Sequence, residues 1–579
     1  MALEPLTEVE QRDILKQAGV TDTYQFVKEA ERRGLSEFLV NPQNLIMLAE
    51  VVLKKAWPIT RRQLLEDTTV LLLKEHNLAH VRSGGGQYGV NEVRPAASAA
   101  CALRLISDVE GISLAEAEID PLYPSYRAIP FAKPELTLAS LGRRAFRALG
   151  NEAVDYSHRV RAEYAAAGWL AQQIRNGLPL SRVQALIGID GVPAPELRGM
   201  HAWLAVLLPE FSDVIINADP FGILIYSDPN SLALTQRVCL LQALSRLAVA
   251  DPYFSPEEDA PTAINALCQF DMAPHLKKIL RDPGAPFGIK LLILEGLGSA
   301  PPLPSLQKDI VAVVADPATP FRLKVSAMRA AAQLGTAAGK AVVKIYRSLG
   351  ESADDLRLRA FILAKFYVGN FSATDVSNLY NTAARSKAKL LSGVLWQIAT
   401  SIPTHDIPPV LDAVASGREP DATKNGNNRA ERERFIERLL IRAVEERSDG
   451  VSGQRMWVWL EMRSTIRGDH NNRRFDGIKP LLAERPELAS AIFEAAIEDF
   501  KPATVLWRFR SRLSEYLPFP LSAHPLRLLS QRLMAGIQDR AKYNALYDSP
   551  SLGSITVRKI TLTYSSLSTS WPTLGQICF

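Results

Sequence analysis

The stretch Asp282-Pro-Gly-Ala-Pro-Phe-Gly-Ile-Lys290 recurs 34 residues later as Asp316-Pro-Ala-Thr-Pro-Phe-Arg-Leu-Lys324. An apolar run follows each copy, at residues 291–298 and 325–335. The Asp-Pro pair ends one helix, and the second proline favours the start of the next, because a proline ring fits only the first turn. Each copy therefore predicts a helix–turn–helix unit. Such units bury their apolar faces by stacking, so the repeat predicts an α-solenoid, which we assign to residues 251–548.

Helical patterns also fill the chain before the repeat. Thr7 and Glu10 form a capping-box pattern, in which each side chain satisfies a free amide of the first turn. A helix is predicted to open at Asn41-Pro42, since Asn is a good N-cap and Pro suits the first helical position. Another is predicted from residue 60 to residue 75. We assign residues 1–80 to a helical domain and residues 181–250 to a helical linker domain.

Residues 81–180 mix helical and strand-like patterns. Helices are predicted at 97–106 and 138–149, and the strand-like Ala153-Val-Asp-Tyr156 precedes a long helical pattern over 159–174. Helices that end in a short strand and a further helix are the ingredients of a winged-helix unit, so we assign 81–180 to a winged-helix-like domain. The predicted fold class is mainly α: a helical domain and a winged-helix-like domain, followed by the α-solenoid.

Two segments do not follow the helical pattern. Residues 417–428 are polar and predict a loop. Residues 549–579 contain 12 Ser or Thr among 31 residues and no acidic residue. Within them, residues 556–564 alternate like a strand. This Ser/Thr-rich tail fits no part of the predicted solenoid and receives no assignment.

The composition is that of an ordinary globular protein. Of 579 residues, 47% are hydrophobic and 22% charged, and the net charge is only +5, which implies no strong field toward nucleic acid or membrane. The four cysteines are far apart, as expected in a reducing cytosol. The N-terminus shows no secretory signal, and no apolar stretch is long enough for a membrane span. We therefore expect a cytoplasmic protein that does not insert into a membrane.

Searches for catalytic motifs give negative results. No GxxxxGK[ST] occurs, and the glycines at 84–86 lead into Gln87-Tyr88, which offers neither the Lys nor the hydroxyl of a phosphate loop. His76 and His80 are four residues apart but lack the Glu of a metalloprotease helix. No GxSxG elbow is present. The sequence predicts no catalytic residue, no metal site and no ATP hydrolysis by this chain alone.

The segment from 154 to 170 carries the most informative pattern. His158 stands between the predicted strand and helix, and Glu163 and Tyr164 follow one and a half turns later, before Ala166 and Ala167. This pattern resembles the winged-helix motif of NACHT-type ATPases, in which an aromatic-x-His precedes Gln-Glu-aromatic; Ala162 replaces the Gln. The resemblance implies that His158 approaches the β-phosphate of bound ADP and that Glu163 and Tyr164 belong to a switch helix. The alternative is a histidine that only caps the helix.

A second match lies at Pro42. The segment Leu39-Val-Asn-Pro42-Gln-Asn-Leu45 is similar to the first helical domain of the same family. The resemblance covers residues 3–250 and implies that Pro42 packs on the adenine ring of the nucleotide. A purely structural proline at the first helical position is the alternative. In this family, sensor repeats lie at the C-terminus, where the present chain has units that resemble HEAT repeats.

These matches predict the regulatory and sensor part of a NACHT-type signal-transduction ATPase of the STAND class, used in bacterial defence against phage. The phosphate loop of the family would precede residue 1, so we expect either a piece of a longer gene or a shortened protein. This chain alone then needs no cofactor, and ADP or ATP would bind only with an ATPase core supplied in cis or in trans. The expected partners are that core and a protein trigger on the solenoid, with oligomerisation on activation.

Two alternatives remain open. A free-standing HEAT-like scaffold would bind a protein partner without nucleotide, and the matches at Pro42 and His158 would be accidental. A nucleic-acid-binding helical protein would use residues 501–548, which contain eight Lys or Arg and only three Asp or Glu. The latter has less support, because a solvated helix face explains the same charges.

Overall fold

The computed structural model describes residues 6–32, 35–40, 42–54, 57, 60–74, 88–117, 120–129, 133–150, 152–251, 254, 264–386, 394–416, 428–447, 449–467, 477–499, 513 and 515–518. The described chain is mainly helical, as predicted, with little sheet. It divides into two compact units, Met1–Gly335 and Thr336–Phe579. In the described ranges, no helix is both long and apolar enough to cross a membrane.

The first unit begins with five helices around a shared apolar core. The predicted capping box is present: Glu10 N donates to Thr7 Oγ1 at 3.4 Å, and Thr7 N donates to Glu10 Oε2 at 2.8 Å. The core is centred on fully buried leucines such as Leu15, Leu45 and Leu48. The helices are α1 (Glu8–Gln17), α2 (Thr23–Arg32), α3 (Ser36–Leu39), α4 (Pro42–Lys54) and α5 (Arg61–Leu73).

A small antiparallel sheet lies among the next helices. Its strand order is β1-β3-β2, and Phe146 pairs with Tyr156 while Ile112 pairs with Val154. Gly150, with φ +70°, supplies the left-handed turn between the last two strands. The elements are α6 (Val90–Ile106), β1 (Ile112–Ser113), α7 (Pro134–Leu141), β2 (Phe146–Leu149), β3 (Ala153–Tyr156) and α8 (Arg159–Arg175).

The sequence prediction of one helix over 138–149 is wrong beyond residue 141. Helix α7 ends at Leu141, where Gly142 forms the C-cap, and β2 follows. Strand pairing decides this segment, because all four residues of β2 find backbone partners in β3. The predicted strand at 153–156 is confirmed, as is the long helix that begins directly after His158.

Residues 180–250 continue with helices and one short hairpin. The hairpin turns at Asp190 and Gly191, both with positive φ (52° and 83°), as expected for a two-residue turn rich in Asp and Gly. Helix α8 packs against α6 on one side and against the helix at 198–207 on another. The elements are α9 (Leu180–Ile187), β4 (Gly188–Ile189), β5 (Val192–Pro193), α10 (Arg198–Leu207), α11 (Ser212–Ala218), α12 (Pro220–Tyr226) and α13 (Leu234–Ala250).

Both copies of the sequence repeat form a helix–turn–helix, as predicted. In each turn the aspartate accepts a backbone hydrogen bond: Asp282 Oδ1 from Gly284 N at 2.8 Å, and Asp316 Oδ1 from Ala318 N at 3.0 Å. The following helix begins one residue after the second proline of each copy. The helices are α14 (Ala273–Arg281), α15 (Phe287–Leu297), α16 (Gln307–Ala315) and α17 (Phe321–Gln333).

The second unit is helical wherever it has regular structure among the described residues. Helices two apart in the chain pack together, for example those at 353–366 and 394–401. Trp459, Phe435 and Phe493 are among its largest fully buried side chains. The helices are α18 (Thr336–Ser348), α19 (Ala353–Phe366), α20 (Ala373–Arg385), α21 (Val394–Ser401), α22 (Ile407–Ser416), α23 (Arg429–Glu445), α24 (Gly453–Arg467), α25 (Ile478–Ala483) and α26 (Pro486–Asp499).

Several sequence predictions lie outside the described residues. These are the histidines at 76 and 80, the glycine turn at 84–86, the loop at 417–427, nearly all of the basic region at 501–548, and the tail at 549–579 with its strand-like segment.

Candidate functional site

His158 occupies the last position before helix α8. Its backbone is extended (φ −154°, ψ 126°), which continues the direction of β3, and its carbonyl accepts the first helical hydrogen bond, from Ala162 N at 3.1 Å. The imidazole makes no capping hydrogen bond. Its Nδ1 atom is buried and has no hydrogen-bond partner. His158 is thus an N-cap by backbone position only, and its side chain is not used to cap the helix.

The imidazole lines a small pocket, partly open to solvent, where α5, α6, the sheet and α8 meet. The cavity measures about 30 Å³, which is room for one or two water molecules. Its polar lining comprises two hydroxyls, the Cys101 thiol, Tyr156, His158 and Arg161; the rest is apolar. The complete lining is Thr69, Leu72, Leu73, Ala97, Ser98, Cys101, Ala145, Phe146, Tyr156, His158, Arg161, Ala162 and Ala165.

Burial sets the charges in this pocket. It lowers the pKa of His158 to about 4, with a further contribution from the Arg161 cation, so the imidazole is neutral at pH 7. Burial also lowers the pKa of Arg161, to about 10, which leaves the guanidinium charged. The pKa of the Cys101 thiol rises to about 12 through burial, and burial likewise raises the pKa of Tyr156. At neutral pH the pocket therefore presents one positive charge, and neither Asp nor Glu is among the described residues that line it.

Glu163 is buried one turn further along α8. Its Oε1 atom accepts a hydrogen bond from Arg159 Nε at 2.9 Å, and Arg159 also donates to the Glu196 carbonyl. The carboxylate rests against the α-carbon of Gly199 on α10: a β-carbon there would lie 2.1 Å from Glu163 Oε2. Burial raises the pKa of Glu163, against the opposing effect of Arg159. Glu163 thus joins α8 to α10.

Tyr164 joins α8 to the N-terminal helices. Its hydroxyl donates to Glu66 Oε2 on α5 at 2.9 Å, and the same carboxylate accepts two hydrogen bonds from Arg94 on α6. The ring meets Trp203 of α10 edge-on, with centroids 5.0 Å apart. Burial and the neighbouring Glu66 carboxylate raise the pKa of Tyr164 to about 12, so it stays a hydrogen-bond donor.

Pro42 is the first residue of α4, as predicted, and its side chain is partly buried. It is not among the described residues that line the pocket of His158. Glu163 and Tyr164 also lie outside the pocket lining, and they connect helices instead.

Sequence reasoning missed the residues that complete these contacts. Glu66 and Arg94 come from separate helices, and no local pattern marks them as partners of Tyr164. Arg161 could have been found from the sequence: it follows His158 by three residues, so the two side chains share a face at the start of α8.

Among the described residues, no group of three or more His, Cys, Asp or Glu is arranged to hold a metal ion.

No protein-family model, curated protein or solved structure matches this chain. The resemblance to NACHT-type ATPases accordingly stays a prediction from the residues at 42 and at 158–164.

Proposed function

We propose that this chain is the regulatory and sensor part of a NACHT-type signal-transduction ATPase, acting in bacterial defence against phage. It does not hydrolyse ATP by itself. Its N-terminal unit contributes contacts to a nucleotide that an ATPase core holds, in cis or in trans. The helical repeats bind a protein trigger, and activation leads to oligomerisation.

One observation carries this proposal: the imidazole of His158 does not cap helix α8, although capping is the structural role that this position would otherwise suggest. It makes no capping bond, and its buried Nδ1 atom has no partner. A buried polar atom without a partner costs free energy, so such a group is often completed by a ligand. A neutral imidazole can donate one N–H to a phosphate oxygen, and the start of α8 adds the positive end of a 17-residue helix.

The size of the pocket limits what this chain can hold alone. A cavity of about 30 Å³ admits one or two oxygen atoms of a phosphate group, but ligand pockets for small molecules measure roughly 300–1,000 Å³. The nucleoside must therefore lie outside this cavity, against the ATPase core. Pro42, partly buried at the start of α4, would then contact the adenine only when the core is present.

Glu163 and Tyr164 have a different role in this proposal. Neither side chain reaches a ligand; Glu163 holds α8 to α10, and Tyr164 holds α8 to α5. A change in the position of His158 is transmitted through α8 to both neighbours. These two contacts define the resting state, and a trigger must bind the activated state more tightly to displace it, since equal affinity shifts nothing.

We also propose that the domain assigned to residues 81–180 is a winged helix and that residues 251–548 form a HEAT-like solenoid. The winged helix is supported by the element order α6, β1, α7, β2, β3 and by the sheet order β1-β3-β2. The solenoid is supported by the two equivalent turns, at Asp282 and Asp316, and by the packing of α15 on α17.

The experiment is to purify the chain joined to its ATPase core and to measure the ADP that stays bound after gel filtration. Replacing His158→Leu should weaken ADP binding about tenfold, since one charge-assisted hydrogen bond contributes about 1.4 kcal/mol or more. His275→Leu is the matched control, because His275 is also partly buried but lies on α14, outside the pocket.

The opposite outcome favours the free-standing scaffold. If the His158→Leu and wild-type proteins retain the same ADP, the histidine does not contact nucleotide. A protein partner that binds the repeats equally well with and without nucleotide would then identify the chain as a nucleotide-independent scaffold.

A further inference from the structure

Arg161 is a partly buried cation, and it pairs with no carboxylate among the described residues. It lies in the first turn of α8 and lines the pocket of His158. Its Nη2 atom donates to the Ser157 hydroxyl at 3.3 Å, while its Nε atom is buried without a hydrogen-bond partner. The other ionisable group that acts on its charge is the Cys101 thiol, which is protonated at neutral pH.

Neighbouring arginines are arranged differently. Arg159 pairs with Glu163 at 2.9 Å, and Arg104 and Arg147 share the carboxylate of Asp155 at 3.1 and 3.5 Å. Each of these cations is compensated by a carboxylate. The guanidinium of Arg161 is partly buried and has no such partner, so the cost of its desolvation is not repaid by an ion pair. The cost is recovered if an anion from outside the chain enters the pocket.

We infer that Arg161 and His158 form a subsite for a single oxyanion group of the phosphate class. The guanidinium supplies the charge and a planar pair of N–H donors that matches two phosphate oxygens. The imidazole supplies a neutral donor beside it. The inference rests on the proposed function only for the source of the phosphate group, which would be the end of the nucleotide's phosphate chain. Inorganic phosphate presents the same oxygens and can therefore be used as the probe.

The cavity fits this ligand class better than its alternatives. A volume of about 30 Å³ admits one or two oxygen atoms, and the rest of an oxyanion can lie at the solvent-facing mouth. A carboxylate side chain from another protein would have to insert its methylene groups past the mouth, whereas a phosphate presents an oxygen in every direction. The apolar part of the lining lowers the local polarity and so strengthens the interaction of the anion with the guanidinium.

The test is to titrate the full chain with inorganic phosphate and, separately, with ADP by calorimetry at constant ionic strength. Arg161→Gln should weaken phosphate binding about tenfold or more, and Arg161→Lys should restore part of the affinity because it keeps the charge. Arg147→Gln is the matched control: Arg147 is an exposed arginine on β2, outside the pocket, and its loss should change affinity by less than about twofold.

A second readout separates loss of a ligand contact from misfolding. Without phosphate, Arg161→Gln should be at least as resistant to denaturant as the wild type, because the uncompensated charge is gone. Adding phosphate should stabilise the wild type and leave Arg161→Gln unchanged. Equal phosphate binding by the wild type and Arg161→Gln would overturn the subsite, and so would a wild type that binds neither phosphate nor ADP.

The two proposals fail in different ways. If phosphate binds through Arg161 but ADP does not bind and His158→Leu leaves ADP retention unchanged, the subsite stands and the nucleotide role falls. If His158→Leu reduces ADP retention in the core-bearing protein while Arg161→Gln changes neither ADP nor phosphate binding, the nucleotide role stands and the subsite falls.

Discussion

The hydroxyl of Tyr164 donates a hydrogen bond to the carboxylate of Glu66, with the two oxygens 2.9 Å apart across 98 residues of sequence. Arg94 binds the same carboxylate through two nitrogens. One acidic group therefore ties α5, α6 and α8 together. Helix α8 cannot move away from α5 without breaking this contact. Any switch that moves α8 must therefore break the hydrogen bond between Tyr164 and Glu66.

Replacing Tyr164→Phe should loosen α8 from α5. The variant loses one hydrogen bond to a charged group and leaves the ring in place, so we expect a cost of about 1 kcal/mol. Hydrogen exchange should become faster in the amides of α5, as measured by mass spectrometry. Tyr24→Phe is the control, because Tyr24 is 61% exposed on α2 and its loss should change nothing. Unchanged exchange in α5 would contradict a linking role for Tyr164.

Two glycine substitutions should have opposite effects. A β-carbon at Gly199 would lie 2.1 Å from Glu163 Oε2, so Gly199→Ala must push a buried carboxylate away from Arg159 and should cost about 1 kcal/mol or more. Gly168 lies within α8 with no atom near its missing β-carbon, so Gly168→Ala should stabilise by about 0.5–1 kcal/mol. Denaturant unfolding of the two variants compares them directly. Equal effects would show that Glu163 does not pack on α10.

Stability should fall with acid because of His201. This residue is 1% exposed on α10, and neither ring nitrogen has a hydrogen-bond partner. Burial lowers its pKa to about 4, with Asp219 opposing this shift and Arg198 adding to it. The unfolded chain, with a pKa near 6.5, therefore binds more protons than the folded chain between pH 6.5 and 4. The contribution of neutral His201 to the free energy of unfolding is fully present above pH 6.5. It is lost as pH falls toward 4, and the total loss is about 3 kcal/mol.

Replacing His201→Leu should reduce this pH dependence. The measurement is the hydrogen exchange of α10 amides between pH 7 and 4, corrected for the intrinsic pH dependence of exchange. Part of the slope should remain, because His158 titrates in the same direction. If His201→Leu and wild type lose protection equally with acid, His201 is not the buried neutral group that the geometry indicates.

At one equivalent position of the two repeats, the first repeat should not accept the methyl group of alanine that the second repeat already has. Gly296 of α15 would place a β-carbon 2.3 Å from Ile264 Cγ2 and 2.8 Å from Cys268 Sγ, whereas the residue 34 positions later is Ala330. We expect Gly296→Ala to cost about 1–3 kcal/mol through overpacking. Gly284→Ala, in the turn of the same repeat, meets only an ordinary contact at 3.4 Å and should be nearly neutral. Denaturant titration measures the free energy of unfolding of both variants. Equal values for Gly296→Ala and Gly284→Ala would contradict the overpacking at Gly296.

Local patterns in the sequence were sufficient for several helices and for the repeat. The capping box at Thr7, the start of α4 at Pro42 and both Asp-Pro turns follow from rules that act within a few residues. The segment at 146–149 was mistaken for helix because its strand depends on pairing with β3, which a helical pattern does not reveal.

The site was predictable only in part, for the same reason. The position of His158 before a helix follows from the strand and helix patterns on either side of it. The partners of Tyr164 come from α5 and α6, so no spacing could identify them. The lack of a counter-charge for Arg161 is a property of the packed pocket, and it cannot be read from a chain that contains 62 acidic residues.

The most direct test of nucleotide gating is to sequence about two kilobases of DNA upstream of the codon for residue 1, a length that exceeds one or two domains. The result we predict is a reading frame that encodes GxxxxGK[ST] and continues into this one or ends beside it. Upstream DNA without such a frame would contradict a nucleotide-gated switch with its core supplied in cis, and it would favour the nucleotide-independent scaffold, in which Pro42 and His158 are structural residues.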